Sequence, residues 1–302
     1  MAFEQTVGGH ESAAVNGASD LSFEIDGLRI RALAWGDPSQ PPVLALHGWL
    51  DNAASFARLA PLLHGYYVVA PDLPGHGQSS HHSLDSGYQI WEDLAQLRVL
   101  PDHLGWERFS IIGHSRGAMI SSLLAAVVPE RVTQLVLLDG MLPEPLSGKE
   151  FVKQLRKHYV EREQLLQRDN RIVKGLSEAA LQREQAGAPL PHAAAMLLAQ
   201  RGTRDLGDGK LQWTSDPRLR GASSVKLTAS QRLAVLEALH MPVLLLLASE
   251  GLKAQYGMVL AETGLPEHTE VQELPGGHHF HMEDEVELLA TAILQFFAQG
   301  AS

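Results

Sequence analysis

Five short, nearly continuous apolar runs constrain this chain most: Val43–Leu46, Tyr66–Ala70, Phe109–Ile112, Val132–Leu138 and Val243–Leu247. Runs of that length without polar alternation belong to strands buried on both faces. Helical patterns separate or follow them, at Ala53–Leu63, Ile90–Leu104, Ala118–Val128 and Val286–Phe297. Strand and helix in alternation predict an α/β architecture, a mostly parallel, doubly wound sheet covered on both faces. Ligands of such sheets sit beyond the carboxyl ends of the strands. Ahead of the first run, Leu21–Ile25 and Leu28–Ala34 alternate apolar and polar residues around Asp26-Gly27, the pattern of a tight hairpin.

The alternation stops between Met141 and Leu239. Charged helical segments (Lys149–Arg168, Ser177–Gln185, Ala193–Arg201) and a Gly/Asp-rich piece, Gly202–Gly209, fill the gap. So long a stretch without a core strand predicts an inserted helical cap. The expected division is a flexible tail over 1–20, a core over 21–140 and 240–302, and a cap over 141–239.

Charge and composition narrow the partners. With 35 acidic against 24 basic residues, the net charge of -11 repels phosphate backbones and anionic lipid, so nucleic acid is not expected. The absence of cysteine removes disulfides, thiolate metal sites and a cysteine nucleophile. The first twenty residues lack the basic start and apolar core of a signal peptide, and no run is long enough for a membrane span. The expectation is a soluble cytoplasmic monomer or homodimer acting on a small molecule.

Each residue suited to chemistry follows an apolar run. Gly113-His114-Ser115-Arg116-Gly117 lies between the Phe109–Ile112 strand and a small-residue helix, which is G-x-S-x-G in its strand–turn–helix setting. A turn that tight excludes side chains on both flanks and holds the serine hydroxyl above the sheet, so Ser115 is the candidate nucleophile. A hydroxyl needs a base to take its proton. In this architecture the base comes last, and Gly276-Gly277-His278-His279-Phe280-His281 follows a plausible final strand, Gln272–Leu274. His278, directly after the glycines, is favoured over His279. The same histidines with Glu283 and Asp284 also resemble a metal site, but no second ligand cluster accompanies them, so no metal and no cofactor is expected. Two backbone N–H groups should receive the developing oxyanion, from Arg116 after the nucleophile and from Trp49 in His47-Gly48-Trp49-Leu50-Asp51-Asn52. For the acid that orients the imidazolium, two positions stay open. Asp139 ends the Val132–Leu138 strand and is favoured; Glu250, after Val243–Leu247, is the alternative.

These words together resemble the α/β-hydrolase superfamily, and within it the serine hydrolase-like proteins. The narrower resemblance rests on Leu46–Phe56 (LHGWLDNAASF), Asp72–Ser79 (DLPGHGQS), the elbow around Ser115, Leu138-Asp139-Gly140, and Gly277 to His281. In the middle of the chain Arg201-Gly202-Thr203 and Asp216-Pro217-Arg218-Leu219 match as well. The resemblance spans Leu21 to Phe297 and implies a capped fold and hydrolysis through serine. The chain departs from the superfamily's usual Gly-x-x-Asp after the seventh strand, where Gly251 stands at the acid's place. Haloalkane dehalogenases place the acid where Asp139 falls but use an aspartate nucleophile, so Ser115 argues against that activity.

The resulting expectation is hydrolysis of a carboxylic ester, or a related lactone or thioester, through an acyl-serine. Met196, Leu197, Leu198 and Trp213 would shape the pocket or form cap core. The alternative is a binding protein that keeps the fold for a hydrophobic ligand.

Overall fold

In the computed structural model, which describes residues 15–252 and 265–300, the apolar runs form strands of one sheet. Its strands are β1 (Ser19–Ile25), β2 (Leu28–Trp35), β3 (Pro42–Leu46), β4 (Tyr67–Pro71), β5 (Phe109–His114) and β6 (Val132–Leu138). Three short strands follow outside it, β7 (Ile172–Lys174), β8 (Thr203–Gly207) and β9 (Lys210–Trp213), before β10 (Val243–Glu250) and β11 (Thr269–Gly277) rejoin. The order across the main sheet is β1-β2-β4-β3-β5-β6-β10-β11. Strands β1, β2 and β4 pair antiparallel and all the others parallel. From β3 the chain steps one way to β4 and then the other way to β5, which opens a crevice beyond the carboxyl ends of β3 and β5.

Burial explains the runs. Alternate residues of a strand point to opposite faces, so in β3 Leu44 and Leu46 enter one core while Val43 and Ala45 enter the other. The first core is covered by α1 (Leu94–His103) and α2 (Arg116–Val127), through Leu97, Leu100, Ile120 and Leu124. The second is covered by the C-terminal helix (Val286–Gln299), whose Leu289, Ile293, Phe296 and Phe297 are buried. Each such side chain contributes about 1.5–3 kcal/mol.

The expected helix over Ala53–Leu63 is instead two 3₁₀ turns, Ala53–Phe56 and Ala60–Leu62. Pro61 has no N–H to continue a helix, and Ala53 N–H is held 2.7 Å from Asp72 Oδ1. The helix expected from Ile90 begins only at Leu94. Of the expected tail, residues 1–14 lie outside the described residues, while Ser19 and Asp20 already belong to β1.

Between β6 and β10 lie α3 (Phe151–Leu166), α4 (Gly175–Glu184), α5 (His192–Gly202) and α6 (Ala229–Glu237), making the C-terminal helix α7. This stretch is not all helical, because β7, β9 and β8 form a second, antiparallel sheet. The Gly/Asp-rich piece Gly202–Gly209 ends α5, forms β8 and makes the turn into β9, with Asp208 (φ 53°) and Gly209 (φ 68°) at that turn. Buried polar contacts tie the stretch to the sheet. Arg201 Nε lies 3.0 Å from both carboxylate oxygens of Asp72, and Asn52 Nδ2 donates to Leu198 O at 2.9 Å. Among the described residues, no helix is long and apolar enough to cross a membrane.

Candidate active site

The loops that leave β3, β5, β6 and β11 converge above the crevice. The β5–α2 turn is the sharpest, with Ser115 at φ 53° and ψ −113°. A Cβ on Gly113 would lie 2.3 Å from Ser121 Oγ, and one on Gly117 would lie 2.0 Å from Leu46 O. Both flanks must therefore be glycine, and the hydroxyl between them stays partly open to solvent.

Ser115 Oγ lies 3.0 Å from His278 Nε2, and His278 Nδ1 lies 2.6 Å from Asp139 Oδ2. Because the carboxylate can only accept, Nδ1 carries the proton, and Nε2 presents its lone pair to the serine O–H. Asp139 is fully buried, in a positive-φ conformation (45°) just past β6. It also accepts backbone N–H groups from Leu252 at 2.9 Å and Ala248 at 3.3 Å. Glu250, the alternative acid, is exposed at the end of β10. A Cβ on Gly251 would fall 2.3 Å from Asp139 Oδ2. The departure at Gly251 thus has a steric reason, since the Asp139 carboxylate fills the space a side chain there would need.

His47 explains the His-Gly word after β3. Buried, it donates Nδ1–H to Gly48 O at 2.8 Å and accepts Leu73 N–H at Nε2 at 3.0 Å, which pins this loop to the one after β4. Desolvation pushes its pKa below the usual value, in keeping with a neutral ring. Trp49 follows, and its indole Nε1–H donates to Leu219 O at 2.7 Å. The side chain of Arg116 turns away to Asp93 (2.7 Å), leaving its backbone N–H in the first turn of α2, where helices lack an internal acceptor. Trp49 and Ser115 line one cavity of about 420 Å³.

Beneath the site lies a polar cluster that sequence reasoning did not assemble. His114 Nε2–H donates to the carbonyl of His278 at 2.8 Å and so fixes the turn that carries that imidazole. Arg183 Nη2, from α4, donates to Asp51 Oδ1 at 2.6 Å and reaches His279 Nε2 at 3.2 Å. Burial pushes the Asp51 pKa up, but Arg183 and His279 together outweigh it and hold the group well below the usual carboxylate value. Desolvation, reinforced by the neighbouring histidines, holds His114 well below 6.5. The Arg183–Asp51 pair spans 132 residues of sequence, so no local pattern announces it. His281 leaves the site and meets Ser55 Oγ at 2.9 Å.

One group among the described residues could gather a metal, one nitrogen each of His114, His278 and His279, all within 4.8 Å of one another. Both His278 nitrogens already have partners, and the Arg183 cation beside His279 opposes a second positive charge. Of the residues expected to shape the pocket, Trp213 lines the cavity, whereas Leu198 packs with Leu190, Ala194 and Met282. Met196 and Leu197 pack against other apolar clusters.

The sequence model of the alpha/beta hydrolase fold matches residues 41–285. Serine hydrolase-like protein 2 of Homo sapiens is 33% identical over 91% of this chain and 92% of its own. Among solved structures, a hypothetical protein from Pseudomonas aeruginosa PAO1 superposes with a TM-score of 0.87 at 36% identity, covering 92% of this chain and 99% of that one. A thioesterase domain from the curacin biosynthetic pathway does so with 0.81 at 29% identity, again over 92% and 99%.

Proposed function

The chain belongs to the alpha/beta hydrolase fold family, and from that premise we propose that it is a serine hydrolase cleaving a carboxylic ester, or a related lactone or thioester, through an acyl-serine intermediate. The observation that carries the proposal is the unbroken Ser115–His278–Asp139 hydrogen-bond chain, whose first two members line an open cavity. Names among the relatives, serine hydrolase-like proteins and a thioesterase domain, are compatible with this reading.

In the proposed reaction His278 Nε2 takes the Ser115 proton as Oγ attacks the carbonyl carbon. Asp139, held in place by its two backbone donors, stabilises the imidazolium that forms. The backbone N–H groups of Trp49 and Arg116 receive the charge that develops on the carbonyl oxygen. The imidazolium then protonates the leaving alcohol or thiol. Water, deprotonated by the same nitrogen, releases the acid and restores the serine. The stretch 141–239 acts as a cap over the core of 21–140 and 240–302, and Trp213 and Arg183 bring its contribution to the cavity wall.

A fluorophosphonate probe tests the proposal directly. The intact protein should label and Ser115→Ala should not. The same substitution should abolish turnover of p-nitrophenyl esters, lactones and thioesters alike. Absence of labelling on the folded wild-type protein would point instead to a binding protein.

A further inference from the structure

Two guanidiniums line the cavity that holds Ser115, and their surroundings differ. Arg183 is neutralised by Asp51 at 2.6 Å. Arg220 has neither a hydrogen bond nor an ion pair with any described residue. The charge that acts on it is another cation, Arg168, just past the end of α3. Partial desolvation first, and Arg168 second, hold Arg220 below the usual guanidinium value. Arg220 is exposed, so this cation on the cavity wall meets solvent and no carboxylate among the described residues, and stays free to take up an anionic ligand.

The backbone presents Arg220 rigidly. It ends the 3₁₀ turn Pro217–Arg220, which is capped by Asp216. The preceding Leu219 carbonyl accepts the Trp49 indole N–H. Arg218 holds the turn in place by bonding Asp216 at 2.7 Å and the carbonyls of His82 and Ser83 at 2.6 and 2.7 Å. Structural duty thus falls on Arg218, while Arg220, on the cavity wall, keeps no polar partner among the described residues. A planar fork of N–H donors suits a two-oxygen anion, which it binds bidentately.

We propose that the substrate bears an oxyanion (carboxylate, phosphate or sulfate) which Arg220 binds while the scissile carbonyl lies at Ser115. The proposal rests on the serine hydrolase reading and adds to it the charge of the substrate. Arg168 acts as the outer cation that strengthens the field on the same anion.

Three esters separate the sources of the charge: p-nitrophenyl butyrate as the neutral reference, mono-p-nitrophenyl adipate with the anion on the acyl chain, and the butyrate ester of 4-hydroxybenzenesulfonate with it on the leaving group. Arg220→Ala should lower the ratio of anionic to neutral kcat/KM in one of the two anionic arms by on the order of 10–100-fold, chiefly through KM. Arg220→Lys should recover part of the loss, and Arg168→Gln should cause a smaller drop. Labelling by the uncharged fluorophosphonate shows that each variant is folded. A second readout does not depend on turnover: adipate binding to Ser115→Ala, followed by tryptophan fluorescence, should be lost in the Ser115→Ala, Arg220→Ala double variant. Ratios unchanged in both arms, or adipate binding indifferent to Arg220, would overturn the proposal. Failure of wild-type labelling would overturn the serine hydrolase reading instead, and the adipate titration would still report on the anion site.

Discussion

At φ 53° and ψ −113° Ser115 holds a backbone conformation that L-residues rarely adopt, at a cost of order 1–3 kcal/mol. Packing of β5 and α2 imposes it, and the strain keeps the hydroxyl where a relaxed turn would withdraw it. The acid is the second residue-scale question. Asp139→Asn should lower kcat by about 10²–10⁴-fold, because the amide no longer fixes the tautomer of His278. Glu250→Gln should stay within a few-fold, and steady-state kinetics on the two variants decides between them. From sequence, Asp139 and Glu250 could only be ranked, because the deciding fact is a contact. The Gly251 position is occupied in space by a carboxylate from 112 residues earlier in the chain, as the Cβ contact of 2.3 Å shows. The meeting of Ser115 and His278, at 3.0 Å, could be foreseen for the opposite reason, since their glycine flanks and their places after strands are local features.

Elements were legible where one physical signal dominated. The buried strands announced themselves as apolar runs because both of their faces meet core. The Asp26-Gly27 hairpin was legible through its turn, with both residues at positive φ. Asp208-Gly209 makes the same kind of turn and was passed over, because β8 is mostly exposed with one large apolar residue, Leu206, and the alternation of β9 lasts only four residues. Likewise Ala53–Leu63 reads as a helix by composition, and only the proline and the remote Asp72 carboxylate divide it. That carboxylate also joins two layers of the molecule through Arg201, in a pair almost wholly buried. Removing one partner of such a pair strands a charge in the interior. Arg201→Ala should therefore destabilise the fold by about 3–5 kcal/mol, visible as a lowered denaturant midpoint. A midpoint equal to wild type would show the contact to be dispensable.

At the scale of the whole molecule, five buried histidines act alike, as rings whose burial disfavours the charged form. Desolvation is the leading cause that holds His47, His76, His114, His279 and His281 below the ordinary 6.5. The unfolded chain binds protons there that the folded chain refuses, so the stability they confer is complete above pH 6.5 and is lost as pH falls through the depressed folded values. Thermal melts at pH 7, 6 and 5 should show a falling Tm, and a flat profile would contradict the neutral-ring assignment. Asp51, held well below its usual value, adds a further loss only at lower pH.

Ser115, Asp139 and His278, the proposed nucleophile, acid and base, follow β5, β6 and β11, and 163 residues separate the serine from the imidazole. A nascent chain that has already built β5 and its bend therefore carries an inert alcohol. Only when the last strand docks at the far edge of the sheet does that alcohol gain a proton acceptor. Under the proposed mechanism, reactivity is switched on by completion of the fold, so a half-made molecule cannot acylate itself or its neighbours.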